Sequence, residues 1–301
     1  MRKKGEWVEI PINIQEESWL YQYIMEAYGV SKRFIQELQN KGGVMLNDVV
    51  TDNNKTIQKG DRLLLHIFRK EDYGVLPEYG EAEILFEDEH LLIANKPAGL
   101  DTHPNEENQT GTLANMIAAY YQMNGLETKV RHVHRLDKDT SGAIVFAKNS
   151  FSQVLLDQMM QKKEIKRMYL AGVTGKLSNR KGRVSYPIGR DRHHPVRRRV
   201  SEGGQSAVTN YKVLQYNSEI DVSALQLQLE TGRTHQIRVH MAALGHPIIG
   251  DTLYGGSKRL IERQALHSAS VEMLHPITKE HISIYAPVPL DFHFFLKDAE
   301  L

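Results

Sequence analysis

From Glu83 to Ala286, short apolar runs alternate with turn residues, and this spacing constrains the fold more than any other feature of the chain. EILFEDEHLLIANKP is two apolar runs joined by an acidic turn, the pattern of a β-hairpin. Further strands are expected at Met168–Thr174, Ala207–Tyr216, Val222–Leu229, Leu266–Leu274 and His281–Ala286. Helical spacing marks Thr112–Met123, with Leu113, Met116 and Ile117 inward, and Ser150–Lys162, with Val154, Leu155 and Met159 on one face. Thr234–Leu244 also reads as a helix. Strands outnumber helices and many are joined by short turns. The expected class is α+β: a mixed, largely antiparallel sheet with flanking helices, not a doubly wound parallel sheet.

Arg69–Glu81, RKEDYGVLPEYGE, is polar and rich in turn residues, so residues 69–81 read as a linker or docking strap between two units. Residues 82–292 form the larger unit. Ahead of the strap lies a smaller pattern at residues 11–68. Ser18 is placed to cap a helix carrying Leu20, Ile24 and Ala27, which Gly29 ends. Ser31 is placed to cap a second helix with Phe34, Ile35 and Leu38 inward and with Lys32 and Arg33 in its first turn. Gly42-Gly43 then leads into the strand VMLN, and Lys59-Gly60-Asp61 into RLLLHIF. This order resembles the alpha-L RNA-binding domain of ribosomal proteins and RNA-modifying enzymes. The resemblance makes Lys32 and Arg33 candidate RNA contacts. The plain alternative is a generic small α+β domain with solvated lysines.

The formal net charge is only +1, but Lys181–Val200 holds seven basic residues against Asp191 alone, a net +6 that leaves −5 elsewhere. Such a cluster suits phosphate contact. With no cysteine, the chain has neither a disulfide nor a thiolate metal site. The start, MRKKGEWVEIPIN, lacks the apolar stretch of a secretory signal, and no run nears the ~20 apolar residues of a membrane span. A cytoplasmic, membrane-free, monomeric protein is the expectation.

His134-Arg135-Leu136-Asp137-Lys138-Asp139-Thr140-Ser141-Gly142 puts a carboxylate, Asp137, among cations and just before a tight turn at Thr140–Gly142. AIVFAKN follows as a buried strand. A carboxylate so placed suits nucleophilic or acid/base work; the plain alternative is a turn cap paired with Arg135 or Lys138. LETGRTHQIRVHMAALGHPIIGD adds a helix in which His235 and Arg238, three apart, share a face. Either its cations are solvated, or Arg238 pairs with Asp137 and favours the charged form that a nucleophile needs. Tyr169 in KRMYLAGV is either a core aromatic or a ring that stacks on a base. Lys96 in NKPAG follows a strand and is a candidate RNA or packing contact. RDRHHPVRRRVSEGGQ is too polar for a core, and Arg197, Arg198 and Arg199 are candidate RNA clamps.

Four segments, ANKPAGL, HRLDKDTSGAIVFAKN, the Tyr169 strand and LETGRTHQIRVHMAALGHPIIGD, occur in the order of the RluA-type pseudouridine synthases, and RQALHSASVEMLHP resembles the closing segment of that family. The resemblance covers about Glu83–Pro289. It implies isomerisation of uridine to pseudouridine in RNA, without cofactor or metal. It makes Asp137 the catalytic residue, Arg238 its partner and Tyr169 the ring that stacks on the flipped base. It also implies that Arg135 fills the gap left by the nucleotide, and that Ile237 and Leu266 line the pocket. The RNA is ribosomal more readily than transfer RNA. Two other site chemistries fit poorly. His132, His134 and Asp137 are similar to the ligands of metallo-β-lactamase-like hydrolases, but the spacing is H-x-H-x-x-D and Lys138 follows. Ser141 has no G-x-S-x-G elbow. A non-catalytic RNA-binding module, such as a ribosome-assembly factor, is the remaining alternative.

Overall fold

The structure, a computed structural model, describes residues 1–52 and 54–296. A ten-stranded sheet dominates the larger unit. Its order is Lys181–Val184, Thr209–Asn217, Val222–Leu229, Lys166–Thr174, Leu266–Leu274, Ser141–Ala147, Leu91–Lys96 and Glu83–Glu87. Arg131–His132 pairs with Ser141–Ala147, and His281–Tyr285 with Leu266–Leu274. The Ser141–Ala147 strand runs parallel to Leu266–Leu274; the other pairings are antiparallel. The architecture is α+β and largely antiparallel, as expected. Among the described residues no helix is long and apolar enough to cross a membrane.

The helices form where the spacing places them. Leu113–Met123 is capped by Thr112, which accepts from the Asn115 amide while the Asn115 side chain accepts from the Thr112 amide. Asn149 caps Ser150–Gln161. The third begins later than expected, at Gln236, because His235 takes the left-handed conformation (φ 57°). His235 and Arg238 therefore do not share a helix face.

The smaller unit is a five-stranded sheet ordered Arg2–Lys4, Trp7–Pro11, Arg62–Leu65, Val44–Leu46, Val49–Val50, with helices Leu20–Tyr28 and Lys32–Asn40. Its first two strands begin ahead of Pro11, the second ending on it. Ser31 caps the second helix, its hydroxyl accepting from the Phe34 amide at 3.2 Å. Ser18 caps nothing: it pairs with Ile57 in a two-residue bridge, and Trp19 stands at the helix start without a side-chain bond. Ala27 faces solvent. The apolar core of this unit includes Phe151 and Leu155 of the larger one, so the two units pack together.

Residues 69–81 dock as a strap. Asn115 donates to the Leu76 carbonyl at 2.8 Å, and Arg131 grips Glu71 through two bonds of 2.6 and 2.7 Å. At the other end of the chain, Phe295 and Leu296 complete the main core.

Gly142 is not in a turn. The strand already runs from Ser141, and Gly142 (φ 111°) lies flat against the neighbouring strand, where a Cβ would fall 2.2 Å from the Ser268 carbonyl oxygen. No L side chain fits that φ and that gap. Gly142→Ala is expected to destabilise the fold by about 3 kcal/mol or more, because backbone rather than a flexible side chain must move. Urea unfolding checks this; a loss below about 1 kcal/mol contradicts the close approach.

Candidate active site

Asp137 sits in a loop pinned on both sides. Before it, Leu136 is buried, and Thr102 donates to its carbonyl at 3.0 Å and accepts from its amide at 3.2 Å. After it, the Thr140 amide closes a turn onto the Asp137 carbonyl at 3.0 Å, and Gln264 donates to the Thr140 hydroxyl at 2.6 Å. Lys96 contributes from below. It is fully buried, and its ammonium donates to the carbonyls of Pro97, Leu100 and Lys138 at 2.9, 2.5 and 2.8 Å. Burial lowers its pKa to about 8, with nearby carboxylates, Asp137 among them, opposing the shift. Lys96 is thus not a substrate or RNA contact: its ammonium ties the turn Pro97–Leu100 to the loop that presents Asp137, which it grips through the Lys138 carbonyl.

Arg238 arrives from the helix Gln236–Ala243, and its Nη1 donates to Asp137 Oδ2 at 3.1 Å. The other side of the guanidinium is locked by Asp251, through bonds of 2.7 and 2.9 Å, and it lies 5.0 Å from the Tyr254 ring centroid. Burial works against its charge, but the bonds to Asp251 and the charges of both aspartates outweigh this and raise its pKa. Sequence reasoning missed Asp251 and Tyr254. Each was visible only as a residue of a loop rich in glycine, thirteen residues or more past Arg238.

A pocket of about 280 Å³ opens beside the Asp137–Arg238 pair, lined by Tyr169, Ile237, Leu266, Arg135, Thr234 and others. Such a volume is at the small end of ligand sites and suits a single nucleobase with its sugar. Tyr169 is buried, in the strand Lys166–Thr174 opposite Ser268. Burial raises its phenol pKa, partly offset by the neighbouring charge of Arg167. Arg135 is exposed at the mouth and donates to the Thr234 hydroxyl at 3.3 Å. Of the seven residues proposed for catalysis or substrate, six line the pocket and Lys96 does not. His134 also borders it, but its Nε2 accepts from the Val145 amide at 3.3 Å. Among the described residues no cluster of three His, Cys, Asp or Glu is placed to hold a metal ion.

An outer cleft continues from the same pair toward Asp101, Pro195, Val196 and Arg198. Arg190–Gln205 is not loose: Ile188–Arg190 and Arg198–Val200 form an antiparallel ribbon, tied to the site where the Arg198 amide donates to the Tyr254 hydroxyl at 2.8 Å. Arg198 reaches the cleft, while Arg197 and Arg199 are exposed beside it. Lys32 and Arg33 lie on the other unit, with Arg33 spending its charge on Glu37 at 2.8 Å.

The family model described as RNA pseudouridylate synthase matches residues 90–243, which carry Asp137, Tyr169 and Arg238. The chain belongs to the RNA pseudouridine synthase family. Relatives agree along nearly the whole synthase. The Uncharacterized RNA pseudouridine synthase YhcT of Bacillus subtilis (strain 168) is 53% identical over 292 residues, 97% of each chain. A Ribosomal large subunit pseudouridine synthase D, from Xylella fastidiosa, is 37% identical over 276 residues, 87% of this chain and 82% of its own. The solved structure of Human RNA Pseudouridylate Synthase Domain Containing 1 superposes with a TM-score of 0.57 at 26% identity, covering 70% of the synthase and 86% of the human chain. The protein is therefore an isomerase that modifies RNA, and the hydrolase readings of His132, His134 and Ser141 fall away. The family-model match begins at residue 90, beyond the smaller unit.

Proposed function

We propose that this synthase converts specific uridines of ribosomal RNA to pseudouridine, with Asp137 as the catalytic carboxylate. The observation that carries the reading is Asp137 Oδ2 held 3.1 Å from Arg238 at the edge of a base-sized pocket. A duplex or stem buries the reacting atoms, so the uridine is extruded, at a cost on the order of a few kcal/mol. Arg135, exposed at the mouth, occupies the space it leaves. Attack of Asp137 at ribose C1′, or removal of the C2′ proton, both start from this carboxylate. The C1′–N1 bond breaks and the bonding pair leaves with the base. The detached uracil turns against Tyr169, with Ile237 and Leu266 excluding water. C5 then bonds to C1′, displacing the Asp137 oxygen in the first route or with Asp137 returning its proton to C2′ in the second; the C5 proton leaves, and N1 takes up a proton.

Ribosomal RNA is favoured over transfer RNA on two grounds. Several relatives carry the name Ribosomal large subunit pseudouridine synthase D. The smaller unit, with its capped helix presenting Lys32 and Arg33, resembles a ribosomal-protein-type RNA-binding domain. Chemical mapping of pseudouridine in cellular RNA with and without the gene tests this: loss at sites in large-subunit ribosomal RNA is expected. Loss confined to transfer RNA, or no loss, overturns it.

The ribbon Arg198–Val200 serves as a phosphate clamp. Arg198→Ala with Arg199→Ala is expected to weaken RNA binding about tenfold in moderate salt and to reduce the slope of log K against log salt by about one to two. An unchanged slope assigns the ribbon elsewhere.

A further inference from the structure

Arg167 precedes Tyr169 by two residues on the strand Lys166–Thr174, and both side chains line the inner pocket. Arg167 is only 5% exposed, yet its Nε has no hydrogen-bond partner and no ion pair among the described residues includes it. Its charge acts on the pocket. After burial itself, it is the largest influence holding the His134 imidazole neutral, and it opposes the burial that raises the Tyr169 phenol. A buried guanidinium without a counter-ion is costly, and an anion formed in the pocket beside it would offset that cost.

The reaction supplies that anion. When C1′–N1 breaks, uracil leaves with the bonding pair, and the negative charge is shared among N1, O2 and O4. We infer that Arg167 donates to a carbonyl oxygen of the extruded uracil and stabilises the charge that develops on the base as the glycosidic bond breaks. The base is neutral when bound and neutral again once C5 has bonded to C1′, lost its proton, and N1 has gained one. The contact is strongest between those states, so it speeds the step rather than tightening RNA binding. This inference rests on the Asp137 pocket being the active site.

The test compares Arg167→Lys with Arg167→Gln in single-turnover reactions on RNA carrying either uridine or 5-fluorouridine at the target position. The fluorinated base is more acidic and leaves more readily. Arg167→Gln is expected to slow consumption of uridine about 100-fold, with the RNA Kd within about threefold of wild type. Arg167→Lys, which keeps the charge, is expected to recover about tenfold of that loss. On 5-fluorouridine RNA the slowing by Gln is expected to be about tenfold smaller, since less stabilisation is needed. The comparison of two RNAs within one variant does not depend on how much of that variant is folded. Equal rates for Lys and Gln, equal slowing on both bases, or a loss confined to RNA affinity overturns the inference and leaves Arg167 as a strand-packing residue. Asp137→Ala, run alongside, separates the two levels. Turnover by that variant sinks the assignment of the pocket itself, whereas silence on both RNAs with failed Arg167 comparisons sinks only this inference.

Discussion

Asp137→Asn should yield a folded protein that binds RNA and makes no pseudouridine. The substitution keeps the size of the side chain and removes the charge from which either proposed route starts. Arg238 retains both of its bonds to Asp251, so no cation is stranded, and the stability change should stay within about 1 kcal/mol. The loop is held by Thr102, Lys96 and Gln264 rather than by the carboxylate, so its course should not change. Removing an attacking group from a preorganised site costs about 10⁴-fold or more, which places the variant below detection in a pseudouridine assay. Retained activity at a hundredth of the wild-type rate would move the chemistry to another residue. RNA affinity, measured on the same preparation, distinguishes lost chemistry from lost binding.

Arg238→Met is expected to damage both stability and catalysis. Asp251 has a side chain 1% exposed, and Arg238 is its only ion-pair partner among the described residues. Removing the guanidinium leaves a buried carboxylate without a counter-charge, at about 3–5 kcal/mol. For a unit of this size that lowers Tm by roughly 6–15 °C. Asp137 loses its 3.1 Å partner at the same time. Adding Asp251→Asn to Arg238→Met should restore part of the stability and none of the activity, because the stranded charge is gone while Asp137 stays unpaired. Asp251→Asn alone keeps the Asp137 contact and loosens the group behind it, so a 10–100-fold fall in kcat is expected, by analogy with outer-shell ligand partners (about that range). Thermal unfolding and single-turnover rates decide these cases. A double variant no more stable than Arg238→Met alone contradicts the buried-pair account.

What the chain discloses by itself is the part governed by local period and turn chemistry. The antiparallel α+β class, the hairpin at Glu83–Lys96, the Ser31 cap and the helix at Ser150–Gln161 follow from neighbouring residues competing for the same backbone groups. The run around Asp137 and the segment around Arg238 stand out as motifs because charged residues flank strong structural signals. Their pairing, 101 residues apart in sequence, was readable only through resemblance to a family. Nothing local specifies which of several arginines meets which carboxylate.

Tertiary structure alone decided the rest. In the sequence Lys96 reads equally as an RNA or a packing contact, and only the fold shows it buried under three carbonyls. Gly142 reads as a turn residue, but the adjacent Ser268 backbone is what excludes a side chain there. Asp251 and Arg167 carry no local signature, because a buried charge is defined by what surrounds it in space. Desolvation and ion pairing depend on distance through the folded molecule, and period, propensity and spacing along the chain do not encode that distance.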